Sequence, residues 1–304
     1  MQSTHIRSRR FKIDILNNKQ QLGYVLILPA VIVLTVALIV PLLYSLYLSF
    51  FKWNLKTGID PVFNGFSNFV KVFKDPSTWN SIYATGVFST VSVVLEISLG
   101  LFIALILNRI NRGVRFVRTI LIIPMMVSEI VAALSWKFIF DPDFGILNFF
   151  FKLMGLPQQT WTGADLAMAS LIIVEIWQHT PFVILILLAG LQSISMDVME
   201  SAQIDGAGFW SKLIHVTIPL LNPQLMVALI FRTMFTMRVF TAPWVLTGGG
   251  PADKTMVLGI NIYRKAFRYY DMGDASAISW MLVVISMIIT YLYLKLLSRE
   301  GTNQ

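Results

Sequence analysis

Six stretches of this sequence are each long and apolar enough to cross a lipid bilayer, and they limit the fold more than any other feature. They run over residues 24–50, 82–107, 116–140, 166–191, 225–246 and 277–297. A hydrocarbon layer about 30 Å thick needs about 20 apolar residues at a helical rise of 1.5 Å. Backbone N–H and C=O groups meet no water at that depth, so each stretch is expected to be an α-helix that satisfies its own backbone. The expected class is an all-α integral membrane protein of six transmembrane helices. The composition agrees: 304 residues that are 56% hydrophobic and 13% charged carry too much apolar surface for one water-facing globule.

The residue inventory also narrows the chemistry. With no cysteine there is no disulfide, thiolate nucleophile or cysteine-bound metal. His5, His179 and His215 lie far apart without ligand spacing, so no metal site is expected. No constellation of nucleophile, base and metal ligands gathers at one depth, and the chain is not expected to be an enzyme. The run Gly248 to Thr255, GGGPADKT, superficially resembles a phosphate-binding loop. A true one needs glycine immediately before the lysine, where Asp253 stands, so the run reads as a glycine-rich turn after the fifth span.

Short-loop cations set the expected orientation. The tail 1–23 holds Arg7, Arg9, Arg10, Lys12 and Lys19 against Asp14, and Arg109, Arg112, Arg115 and Arg118 follow the second span with no acid among them. Both regions are expected on the cytoplasmic side, and six spans return the tail 299–304 to that side. The first span is too long for a cleaved signal and lacks a small-residue cleavage site, so it reads as an anchor. Topology accounts for the net charge of +8, and no nucleic-acid partner is expected.

This orientation puts residues 193–223 in the cytoplasm between the fourth and fifth spans. Met196 to Ile204 is expected to form a short helix, with Met199, Ala202 and Gln203 on one face. Gly206 and Gly208 allow a reversal, Trp210 to Val216 begins a second helix, and Pro219 and Pro223 end it before the fifth span. The small Ser201, Ala202, Gly206 and Ala207 would let a partner approach closely.

Glu200-Ser201-Ala202, Asp205-Gly206-Ala207, Ile218-Pro219 and Pro223 together resemble the EAA loop of binding-protein-dependent ABC importer permeases. Ser201 replaces the usual second alanine, and Leu213 stands where an aromatic is common. The resemblance extends through Phe66 to Phe69, Trp79, Glu96 to Gly100, Pro124, Trp136, Asn148, Leu191-Gln192, the glycine run, Tyr263 and Gly273 to Ser279, arranged as in the maltose-type and glycerol-phosphate-type sugar permeases. Thr241-Ala242 departs from the acidic residue of many relatives.

The resemblance implies a type I ABC importer permease fold with a maltose-type core over residues 24–298, in a bacterial or archaeal cytoplasmic membrane. It implies half of the translocation pathway of an ATP-driven carbohydrate importer, paired with a second homologous permease and served by an external solute-binding protein. ATP and Mg would bind to two partner ATP-binding subunits, and this chain would hold no cofactor. Glu200, Ser201, Ala202, Asp205, Gly206, Ala207 and Trp210 would couple to those subunits, with Glu200 as anchor. Gly248, Gly249, Gly250 and Pro251 would lie near the binding protein.

Ionisable groups within spans are costly and face a cavity or one another. The candidates here are Glu96, Glu129, Lys137, Glu175, His179, Arg232 and Arg238. Arg238 is expected to line the solute path, with Trp244 as a stacking surface and Trp177, Gln178 and His179 as a polyol-binding platform. Arg232 joins this set, but six residues from Arg238 is about 240° around a helix, so the two should point apart. The alternative is an ion-coupled secondary carrier relaying protons through Glu96, Glu129 and Glu175, although no internal repeat supports it.

Overall fold

The computed structural model describes residues 19–58, 60–110 and 113–301. The expectations placed on His5, Arg7, Arg9, Arg10, Lys12, Asp14 and Arg112 lie outside the described residues. Two compact units divide the chain, residues 1–48 and 49–304.

The first unit is built on α1 (Lys19–Leu34) and runs through a π-helical turn, Thr35–Ile39, into α2 (Val40–Ser49). Pro41 lacks an N–H and would crowd the carbonyl four residues back. The wider π-turn, ending two residues before it, takes up that defect without breaking the helix.

The second unit opens with a two-residue hairpin, β1 (Phe51–Lys52) paired antiparallel with β2 (Val62–Phe63), then α3 (Ser67–Lys74) and the long α4 (Pro76–Arg109). Asp75 caps α4 by accepting from the Ser77 N–H at 3.0 Å, and Pro76 takes the first turn, where its missing N–H costs nothing. Next come α5 (Val114–Met126), α6 (Glu129–Ile139), the short α7 (Ile146–Leu153) and α8 (Ala167–Ser193). After α9 (Met196–Ile204) and α10 (Phe209–Lys212), a second π-turn, Leu213–Thr217, leads into α11 (Ile218–Met237). The chain closes with α12 (Thr241–Leu246), α13 (Leu258–Tyr263) and α14 (Met272–Gly301).

Among the described residues five helical stretches are long and apolar enough to cross a bilayer, and a bent pair makes a sixth crossing if counted as one. The bent pair corrects the single third helix expected over residues 116–140, while six crossings remain if the pair is one span. Phe116–Met126 and Glu129–Ile139 meet at 94°, because Val127 and Ser128 leave the helical region. The apolar run hides a helix start, Ser128-Glu129, a small polar residue followed by an acid in the first turn.

A second correction concerns Pro219 and Pro223, which do not end a helix. Helical structure continues from Phe209 to Met237, with the π-turn again finishing two residues before the proline. The fifth crossing instead breaks at Arg238 to Phe240, ahead of α12.

The tightest packing is between α4 and α8. A Cβ on Gly100 would lie 2.5 Å from Val183 Cγ1, so only glycine allows this approach. Ala104, Leu107, Val183, Leu187, Leu221 and Ala228 fill the space between α4, α8 and α11. At the opposite end of the unit from α9, Lys71 pairs with Asp271 and Asp274, and Lys265 with Asp75 at 3.0 Å, tying α3, α4 and α14 together.

Candidate functional site

Two features stand out in the second unit: a charged cavity among the spans, and an exposed helical hairpin at one end. They share one helix.

The cavity, about 490 Å³, lies beside the bend between α5 and α6 and is walled by α8 and the end of α11. Glu129, Glu175, Gln178, His179, Arg232 and Arg238 supply its polar lining, with Phe182, Phe235 and Phe240 as apolar wall. The broken span is what opens it. Val127 O, released from helical bonding, accepts from Gln178 Nε2 at 3.1 Å, so irregular backbone at membrane depth is satisfied by the neighbouring helix.

One wall is a buried ion network. Arg232 is 1% exposed and donates to both oxygens of Glu96, Nε to Oε2 at 2.6 Å and Nη2 to Oε1 at 2.9 Å. Its Nη2 also donates to Glu175 Oε1 at 2.5 Å, and His179 Nδ1 lies 3.2 Å from that same oxygen. The residues come from α4, α8 and α11, so one guanidinium fixes three crossings against one another. Glu96, Glu175 and His179 would by spacing suit a metal ion. Arg232 already fills that space with positive charge.

Arg232 and Arg238 both border the cavity although helical phase predicts otherwise, because α11 ends at Met237 and Arg238 sits past the last turn. Arg238 is exposed, donates from Nε to Met234 O at 3.1 Å and lies over the Phe235 ring. Gln178 and His179 also line the cavity. Trp177 does not: it packs edge to face on Trp136 at 5.7 Å. Trp244 lies apart too, stacked on Phe240 at 5.8 Å and packed with Tyr263 at 4.6 Å, with Arg268 over its ring. Sequence could not reveal Phe182, Phe235 or Phe240 as cavity wall, since a phenylalanine facing lipid and one facing a cavity read alike.

The glycine run is braced from within. Arg264 Nη2 donates to Gly248 O at 2.7 Å and Thr255 Oγ1 to Gly250 O at 2.6 Å. Gly248 to Pro251 are buried or half-buried, whereas Ala252, Asp253 and Lys254 are exposed.

The hairpin is closed at its turn by backbone hydrogen bonds. At the end of α9 the Ala207 N–H bonds to Ala202 O at 3.0 Å and the Gly206 N–H to Gln203 O at 3.1 Å, with Gly206 at φ +76. This is the Schellman closure, which needs a left-handed residue and therefore favours glycine. Gly208 adopts φ −67, ψ 175, an ordinary extended conformation preceding α10. Glu200, Ser201, Asp205 and Trp210 are exposed, while Ala202 and Ala207 are half-buried. Ile204 is 86% exposed, Met196 72% and Trp210 70%, large apolar side chains on an otherwise polar loop.

A family model described as "Binding-protein-dependent transport system inner membrane component" matches residues 96–299. The chain is 38% identical over 279 residues to the trehalose/maltose transport system permease protein MalF of Thermococcus litoralis, covering 90% of this chain and 93% of that one. It is 32% identical to the sulfoquinovosyl glycerol transport system permease protein SmoG of Agrobacterium fabrum, covering 91% and 90%. Among solved structures, a chain of the bacterial alginate ABC transporter in complex with an alginate pentasaccharide-bound periplasmic protein superposes with a TM-score of 0.79 at 25% identity, covering 92% of this chain and 94% of that one.

Proposed function

The chain belongs to the binding-protein-dependent transport system inner membrane components, and on that footing we propose how it moves its solute. It is a multi-pass permease subunit of an ABC importer, a transport component whose ATPase partners are separate chains. The ion-coupled carrier reading gives way to this family membership, and two of the carboxylates it required, Glu96 and Glu175, are engaged by Arg232.

The observation that carries the mechanism is the continuous helix from Phe209 to Met237. At one end it is fused to the exposed hairpin, and at the other it holds Arg232 and delivers Arg238 to the cavity. Its length, roughly 40 Å at 1.5 Å per residue, makes it a lever between the two places. In the proposed cycle two partner subunits bind ATP and Mg, close on each other and carry the hairpin with them. The helix transmits that motion to the wall of the cavity as a rigid body. Glu200 is the anchor, exposed and able to accept a charge-assisted hydrogen bond. Ser201, Ala202, Asp205, Gly206, Ala207 and Trp210 complete the docking face.

The solute proposed is a carbohydrate, in keeping with the relatives named for trehalose, maltose and sulfoquinovosyl glycerol. Gln178, His179, Glu129 and Arg238 around a 490 Å³ space offer the mixed donors and acceptors that polyols need. Arg238 would also suit an acidic sugar. A second homologous permease supplies the other half of the path, and a solute-binding protein docks at the face bearing Ala252 to Lys254. We further propose that the basic tail 1–23, the tail 299–304 and the hairpin face the cytoplasm.

The decisive experiment is Glu200→Lys in the reconstituted importer. Uptake is expected to vanish while the subunit stays in the membrane and assembles. Normal stimulation of ATP hydrolysis by loaded binding protein in this variant would refute the coupling role.

A further inference from the structure

A groove of about 440 Å³ runs between the ends of α4 and α8 and the hairpin of α9 and α10. Leu105, Leu191, Met196 and Met199 make it apolar. Two charged residues line it, Arg109 and Lys212, both cations, and no carboxylate does. Among the described residues neither cation joins an ion pair. Arg109 rests with its guanidinium 4.7 Å from the centre of the Phe209 ring.

The depth of the groove narrows the choice of occupant. Arg109 is the last residue of α4, and Leu191 and Gln192 lie in the last turn of α8, so the groove sits where two crossings leave the hydrocarbon. An apolar slot with unpaired cations at that level matches the chemistry of a phospholipid with an anionic head group. A zwitterionic lipid would bring its own ammonium up to Arg109 and Lys212. A soluble phosphate ester would satisfy the cations and leave the leucine and methionine wall wet.

We propose that one anionic phospholipid occupies this groove, with its phosphate at Arg109 and Lys212 and an acyl chain against Met196 and Met199. There it wedges α9 against the ends of α4 and α8, and the stiffness of the hairpin depends on it.

The experiment uses the assembled importer, with its partner permease and ATP-binding subunits, in nanodiscs. Two photoactivatable probes with identical diazirine tails are compared, phosphatidylglycerol and phosphatidylcholine, and crosslinks are mapped by mass spectrometry. The phosphatidylglycerol probe is expected to label the segment from Met196 to Leu213, and the phosphatidylcholine probe far less. Arg109→Gln combined with Lys212→Gln should lower that labelling about tenfold or more, while Arg109→Lys with Lys212→Arg should keep it. If the double glutamine variant fails to assemble, Lys212→Gln alone should lower it by about threefold or more. Excess glycerol phosphate should not compete. Equal labelling by the two probes, labelling untouched by the glutamine changes, or displacement by glycerol phosphate would each overturn the proposal.

Discussion

Arg232 on the fifth crossing grips Glu96 on the second through two parallel hydrogen bonds, at 2.6 and 2.9 Å, with both side chains buried. Such a fork defines the rotation and the depth of one helix against the other, which a lysine ammonium would not do. Glu175 adds the fourth crossing to the same guanidinium. The network is therefore a joint that holds three crossings together. Its cost is exposed when half of it is removed, because a buried charge without its partner is far worse than an apolar pair.

Glu96→Ala is accordingly expected to destabilise the subunit by about 3–5 kcal/mol, seen as an earlier loss of the monodisperse complex on heating. Glu96→Leu, Arg232→Met and Glu175→Gln together should recover much of that loss, since no carboxylate of the network is then left buried without its guanidinium. If the triple variant is no better than Glu96→Ala, Arg232 does not depend on Glu96.

The two glycines of the hairpin separate backbone conformation from crowding. A Cβ at Gly206 or at Gly208 would meet nothing within 4 Å, so space distinguishes neither. Gly206 sits at φ +76 and Gly208 at φ −67. Gly206→Val should strain the turn by at least about 1–2 kcal/mol and abolish uptake with normal membrane levels, whereas Gly208→Ala should transport normally. Uptake assays with immunoblots of membranes check both, and equal loss in the two variants would contradict the role given to the Schellman turn.

Much of this architecture is legible in the sequence because lipid leaves the backbone few options. Met196 to Ile204 reads as a helix from its ends and appears as one. The bend at Val127 and Ser128 stayed hidden because apolar content, not helix-start chemistry, dominates a long run. Pro219 misleads for the opposite reason: the rule that proline ends a helix ignores the π-turn that absorbs it. The union of Glu96 with Arg232 spans 136 positions, and the sequence says only that each needs a partner. Trp177 and Trp244 are aromatic where a sugar platform is wanted, yet each is taken up by other rings, and composition cannot show that.

Arg238 differs from Arg232 in being exposed at the cavity and, among the described residues, in being held by Met234 O and the Phe235 ring rather than by a carboxylate. Arg238→Ala is expected to raise the transport KM roughly tenfold or more, the worth of one charged hydrogen bond, with basal ATP hydrolysis retained. Arg238→Lys should fall between. Unchanged uptake kinetics in the alanine variant would remove Arg238 from the solute path.

The ion pairs at the far end from the hairpin predict how the fold responds to pH. Burial opposes charge on both Asp75 and Lys71, but hydrogen bonds outweigh it. Lys265 and the Ser77 N–H hold the Asp75 carboxyl below its ordinary 3.8, and Asp274 with Asp271 holds the Lys71 ammonium above its ordinary 10.5. A depressed acid contributes stability that is complete above 3.8 and is lost as pH falls through the folded value. A raised base contributes stability that is complete below 10.5 and is lost as pH rises through its folded value. Neither group therefore changes the stability across the neutral range, and any pH dependence of uptake there has to arise elsewhere. Heating curves of the purified subunit should show an acid limb that Asp75→Asn shrinks and an alkaline limb that Lys71→Gln shrinks. An acid limb of equal size in Asp75→Asn would mean that the bond to Lys265 does not hold this layer together.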